Sequence, residues 1–176
     1  MSDITQVLRA LAFAAHKHRD QRRKNVEASP YINHPISLAN ILTNEGGVSD
    51  VEVICAALLH DTIEDTDTTP EELEQEFGQA IKSIVLEVTD DKALPKVERK
   101  RLQIEHAAHA TDKAKLVKLA DKISNLRDIA NSPPENWPLE RRQEYFDWAR
   151  QVVEQVRGVN AQLEAAFDTA YAMRPM

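Results

Sequence analysis

Only four glycines interrupt the 176-residue chain, and nowhere does it alternate apolar and polar side chains for the length of a half-buried strand. A sheet has little to be built from. The single cysteine, Cys55, has no partner with which to close a disulfide inside the chain, and its setting in Val-Ile-Cys-Ala-Ala-Leu-Leu marks it as a core residue. Long apolar runs are missing too. The longest, Val53 to Leu59, is far too short to span a bilayer, and the Met-Ser-Asp start lacks the basic residues and apolar stretch of a secretory signal. The expectation is a cytoplasmic protein without a membrane partner. Excess positive charge is also lacking: a formal net charge of −7 argues against broad binding to nucleic acid, whose phosphates need a surplus of basic residues. Local basic clusters at Arg22-Arg23-Lys24, at Lys96 with Arg99-Lys100-Arg101, and at Arg141-Arg142 leave room for a small anionic ligand.

What the chain does have is helical periodicity along almost its whole length. Hydrophobic residues make up 42% of the chain, enough for one core, and no repeat or linker divides it. Residues 1–176 are therefore expected to form a single all-α domain of about eight or more helices. Ile4, Val7, Leu8, Leu11 and Ala15 form the stripe of a first helix, opened by Ser2 or Asp3. Pro35 suits the first turn of a second helix with His34 near its N-cap, and a third begins after Asp50 and runs from Val51 to His60. Thr69-Pro70-Glu71-Glu72 reads as a capping box before a helix that Gly78 ends, and Ile81, Ile84, Val85 and Val88 continue into a fifth. Pro95 opens a basic helix, and Asp112 caps the next, with Leu116, Leu119, Ala120, Ile123 and Leu126 as its apolar stripe. Pro133-Pro134 and Pro138 bracket a loop holding Trp137, and the last helices cover roughly 139–157 and 160–172.

Four residues of metal-ligand type stand at helix ends or on polar faces: His34, the pair His60-Asp61, and Asp121. Taken singly, His34 before a proline reads as a cap, and Asp121 in Leu-Ala-Asp-Lys reads as a salt-bridged residue. Together, two imidazoles and two carboxylates can hold a divalent cation and leave positions for water and substrate. His60-Asp61 carries most weight, because a polar pair directly after Ala56-Ala57-Leu58-Leu59 needs a partner that a metal would supply. Glu64 and Asp65 follow one turn later, where a carboxylate could orient or deprotonate a water attacking phosphorus. With Asp67 they also fit an acidic surface turn.

His34-Pro35, Ala57-Leu58-Leu59-His60-Asp61-Thr62-Ile63-Glu64-Asp65 and Val117-Lys118-Leu119-Ala120-Asp121-Lys122 resemble the hydrolase domain of the RelA/SpoT alarmone enzymes. The likeness runs from the first helix through Tyr145-Phe146 and is greatest to the stand-alone small alarmone hydrolases of the metazoan SpoT type. The resemblance implies an all-helical HD fold and one Mn²⁺, or another divalent ion, on His34, His60, Asp61 and Asp121. It implies catalytic roles for Glu64 and Asp65, and removal of the 3′-pyrophosphate from (p)ppGpp to give GDP or GTP. Arg23, Lys24, Lys96, Lys100, Asn125, Arg141 and Tyr145 would bind the guanosine nucleotide. The stretch Asn25-Val26-Glu27-Ala28-Ser29 departs from the short glycine-containing segment of the long bacterial enzymes. With no synthetase segment in the 176 residues, hydrolysis without synthesis is expected. Two other readings stay open: an HD-type phosphohydrolase of another nucleotide, such as an NADPH 2′-phosphatase, and a non-catalytic nucleotide-binding module. The last predicts damaged ligands, whereas all four ligands and both carboxylates are intact. Nothing in the sequence sets the oligomeric state.

Overall fold

Short polar side chains cap half of the α-helices in the computed structural model, which describes residues 1–176. Helix α1 (Asp3–Lys17) starts where Ser2 Oγ accepts from the Thr5 amide at 3.2 Å. Helix α2 (Asn33–Asn40) runs on into a π-helical turn, Ile41–Glu45. Asp50 caps α3 (Val51–Leu59), and after a break at His60 and Asp61 a single turn follows, α4 (Thr62–Asp65). Thr69 caps α5 (Pro70–Phe77), and Gly78, at a φ of 90° that side chains rarely adopt, turns the chain into α6 (Gln79–Glu87). Helix α7 (Lys96–Ala107) starts after Pro95, and Thr111 caps α8 (Asp112–Asn131). Pro138 precedes α9 (Leu139–Glu154), and Asn160 caps α10 (Ala161–Tyr171). No strand forms; Arg22 with Pro30 and Asn25 with Pro134 make isolated bridges.

Helix α3 is buried nearly end to end through Val53, Cys55, Ala56, Ala57, Leu58 and Leu59, because α1, α2, α6 and α8 pack around it. That enclosure is why its sequence is a continuous apolar run rather than a stripe. Burial also pushes the Cys55 thiol up to about 11. Helix α8 buries Val117, Leu119, Ala120, Ile123 and Leu126 against α2, α9 and α10. At about 1.5–3 kcal/mol for each large apolar side chain, this burial holds both helices firmly in place. His60 ends the first of them and Asp121 lies on the second. No helix is long and apolar enough to cross a membrane.

Local details differ from the sequence expectations. The buried face of α1 is Ala10 and Ala14, with Val7 and Leu11 beside them, whereas Ile4 and Leu8 are exposed. Small residues let α1 approach α3 closely, and that contact outweighs the larger side chains on the neighbouring stripe. Thr111, not Asp112, caps α8, accepting from the Ala114 amide at 3.3 Å. Only half of the capping box forms: Thr69 accepts from Glu72 N, while the Glu72 carboxylate turns to Lys17.

Candidate active site

His34 comes from the first turn of α2, His60 from the end of α3, and Asp121 from the middle of α8. One ligand atom from each lies within 4.8 Å of the others, and Asp121 Oδ1 is 2.9 Å from His34 Nε2 and 3.6 Å from His60 Nε2, within reach of one ion bound at about 2.0–2.2 Å. The hydrogen bonds behind the rings fix what each presents. His60 Nδ1 is 2.7 Å from the Ala57 carbonyl, which can only accept, so Nδ1 carries the proton. The remaining nitrogen, Nε2, is buried and has no hydrogen-bond partner, although Asp61 Oδ2 is 2.9 Å and Asp121 Oδ1 3.6 Å away. His34 repeats the pattern. Ser124 Oγ donates to Ser37, leaving His34 Nδ1 to donate to Ser124, and Nε2 then faces Asp121 Oδ1 at 2.9 Å.

The bare Nε2 of His60, facing two carboxylate oxygens, needs a cation beside it. Burial alone would favour neutral His60, but Asp61 and Asp121 prevail and raise it well above the usual imidazole range. Burial likewise opposes ionisation of Asp121 and Asp61, yet Lys122 holds the first and His60 the second well below the ordinary carboxylate range. The donor set therefore fits a divalent ion. Asp61 adjoins the three-residue cluster through His60, and its Oδ2 accepts the Tyr31 hydroxyl proton.

Both carboxylates of α4 line the same cavity, of about 960 Å³, as the cluster. Glu64 Oε1 accepts from the Asp90 amide at 2.7 Å. Burial, joined by the negative charges of Asp61, Asp90 and Asp65, raises Glu64 to about 7. Asp65 is held by Lys92 at 2.6 Å and by Gln21 at 3.5 Å.

Arg23, Lys24, Lys96, Lys100, Asn125, Arg141 and Tyr145 also line this cavity. The bridges from Arg22 to Pro30 and from Asn25 to Pro134 tie the Arg23-Lys24 segment to the loop before α9. Arg23 is paired with Asp128 at 2.8 Å. Lys96 and Lys100 have no carboxylate partner; burial and the surrounding cations, among them Arg141, lower both. Arg141 lies over Trp137 at 4.2 Å. Asn125 Nδ2 donates to Tyr145 and Asp121, which leaves its carbonyl oxygen to accept from a ligand.

Sequence reasoning missed three residues that set the site. Tyr31 holds Asp61. Lys122, 4% exposed, binds Asp121 Oδ2 at 3.0 Å and Gln103 at 3.2 Å and lies 4.4 Å over Trp148, so only Oδ1 of Asp121 is turned to the histidines. Asp90 holds Glu64. The adjacency of Lys122 to Asp121 was the one available signal, since the other two pairings join distant parts of the chain.

Residues 10–169 match the family model described as HD domain. A Xenopus tropicalis protein named guanosine-3′,5′-bis(diphosphate) 3′-pyrophosphohydrolase MESH1 is 59% identical over 167 residues, covering 95% of this chain and 93% of that protein. The Homo sapiens protein of the same name is 57% identical over 173 residues, covering 98% and 97%. Among solved structures, a metazoan orthologue of SpoT that hydrolyses ppGpp superposes with a TM-score of 0.93 at 50% identity, over 96% of this chain and 95% of that one.

Proposed function

The chain belongs to the HD domain family, and from that premise we infer that it is a metal-dependent phosphohydrolase, a guanosine-3′,5′-bis(diphosphate) 3′-pyrophosphohydrolase. One observation carries this conclusion. The cavity has a floor of acceptors that call for a cation and a wall on which Lys96 and Lys100 have no carboxylate partner and can receive an anion, the complementary halves of a site for a phosphorylated substrate. The relatives that match along nearly their whole length supply the guanosine nucleotide.

His34, His60, Asp61 and Asp121 hold one divalent ion, Mn²⁺ in our proposal. When bound, it supplies polarisation of a phosphoryl oxygen and lowers the pKa of water. Glu64 takes the proton of the water that attacks the phosphorus attached to O3′. The P–O3′ bond breaks, O3′ is protonated, and pyrophosphate and GDP result. Glu64 suits this task because a base is most effective when its pKa lies near the working pH, and the Asp90 amide fixes its orientation. Asp65, tethered by Lys92 and Gln21, orients the water. Arg23 and Lys24, with Asn125 and Tyr145, receive the base, and Lys96, Lys100 and Arg141 receive phosphate oxygens.

Incubating the Mn²⁺-loaded protein with ppGpp is expected to release pyrophosphate and GDP in equal amounts. Release of single phosphates instead would overturn the assignment of the cleaved bond. The pH dependence has a defined sign. Glu64 acts as a carboxylate and its value is raised to about 7, so kcat should fall as pH drops through that value. An unperturbed glutamate near 4.5 would leave the rate flat over the same interval. A kcat profile between about pH 5 and 9, flat on its acid side, would remove Glu64 as the base.

A further inference from the structure

Lys118 makes no ion pair with any residue of the chain. It lies on α8 one turn before Asp121 and Lys122, is 8% exposed, and lines the cavity. The charged groups facing it are Lys122 and Asp121 on its own helix, Asp90 beyond α6, and Glu87 at the end of α6. Every carboxylate among them is engaged elsewhere. Asp121 serves Lys122, His34 and Asn125. Asp90 accepts from Gln103 at 2.6 Å. Glu87 accepts from the Thr111 amide and hydroxyl at 2.9 and 2.7 Å. Lys118 itself makes neither an ion pair nor a hydrogen bond, unlike Lys122 four residues later.

The Lys118 side chain is buried along its length, but its Nζ, unlike His60 Nε2, is not sealed from solvent and opens to the cavity, and a methionine of similar length would fill the same space without the charge. The cavity is the direction from which a partner can come. Its cations fall into two groups. Lys96, Lys100 and Arg141 also line an adjoining recess of about 310 Å³, whereas Lys118 does not. Lys118 stands instead beside Asp121, a residue of the metal cluster, and Asp90, whose amide holds Glu64. A substrate with diphosphates on both O3′ and O5′ presents two separated anionic groups, and only the first is next to the reacting centre. Resting on the pyrophosphohydrolase function inferred above, we propose that Lys118 is a substrate-binding residue that holds the terminal phosphate of the 3′-pyrophosphate. It distinguishes a pyrophosphoryl substituent from a single phosphate at that position.

The test uses Lys118→Met in the full, Mn²⁺-loaded chain, with inorganic pyrophosphate and GDP as separate probes in calorimetric titrations. A charge-assisted hydrogen bond to phosphate predicts a loss of pyrophosphate affinity of about ten- to hundredfold. GDP affinity should stay within about twofold, and the KM for ppGpp should rise. The melting temperature should hold, because Lys118 has no ion pair or hydrogen bond within the chain to lose; a purely structural lysine would lower it. Lys118→Gln gives the same binding readout should methionine not pack. Unchanged pyrophosphate affinity in either folded variant, or an equal loss for GDP, overturns the proposal. Failure of the parent protein to bind pyrophosphate and to turn over ppGpp would instead overturn the pyrophosphohydrolase function.

Discussion

Chelation of the divalent ion is expected to abolish ppGpp hydrolysis, and added Mn²⁺ to restore it. The expectation follows from His60. Its Nδ1 proton is committed to the Ala57 carbonyl, so Nε2 must point a lone pair at Asp61 and Asp121, and no donor of the chain answers it. Only a proton or a metal ion satisfies that arrangement, and a proton there would leave nothing to activate water or polarise phosphorus. Asp121→Asn should reproduce the chelated state: the amide loses charge at the oxygen shared by both histidines and frees Lys122 as an unpaired buried cation. Elemental analysis should show loss of the ion together with turnover. Chelator-treated, metal-free protein that hydrolysed ppGpp at the untreated rate would refute the metal site.

Glu64→Gln should retain fold and metal and lose about 10² to 10⁴ in kcat, the usual contribution of a positioned base. The structure makes this substitution a clean one. A glutamine keeps the Oε1 acceptor for the Asp90 amide, so the loop after α6 stays anchored while the proton acceptor disappears. Replacing a carboxylate that burial already disfavours also removes a source of instability, and the melting curve should not drop. Asp61→Asn provides the contrast, because it lies 2.9 Å from His60 Nε2 and should lose metal as well as activity. The comparison needs kcat, metal content and melting temperature on the same preparations. Near-normal kcat in Glu64→Gln would end its role as base, whereas loss of metal in parallel with Asp61→Asn would place Glu64 among the ligands.

The contrast between these two positions also marks how far the sequence could be read. Helices were legible where burial follows a 3.6-residue period or a cap stands at the boundary, as at Ser2 and Thr69. The face of α1 was not, because Ala10 and Ala14 win by allowing close approach, and hydrophobicity alone ranks Ile4 and Leu8 above them. The residues named from sequence for metal, catalysis and substrate all line one cavity. Their chemistry is local in the chain: a polar pair after an apolar run, carboxylates one turn on. What escaped are the partners that orient them. Tyr31 reaches Asp61 across 30 residues and Asp90 reaches Glu64 across 26, and no periodicity links such positions. Lys118 escaped for the opposite reason, since a lone lysine in a helix ordinarily lies on the outer surface and only the fold shows that this one runs inward to the cavity.

Cys55 offers a practical consequence of the way α3 is enclosed. It is the only thiol in the chain, fully buried, and its raised value keeps the reactive thiolate scarce at neutral pH. A thiol reagent added to the native protein therefore reacts only when α3 separates from the helices around it. The rate of that modification is a clock for openings of the helix that delivers His60 and Asp61. It needs no engineered label and no turnover, so the opening frequency of the catalytic framework can be followed independently of catalysis.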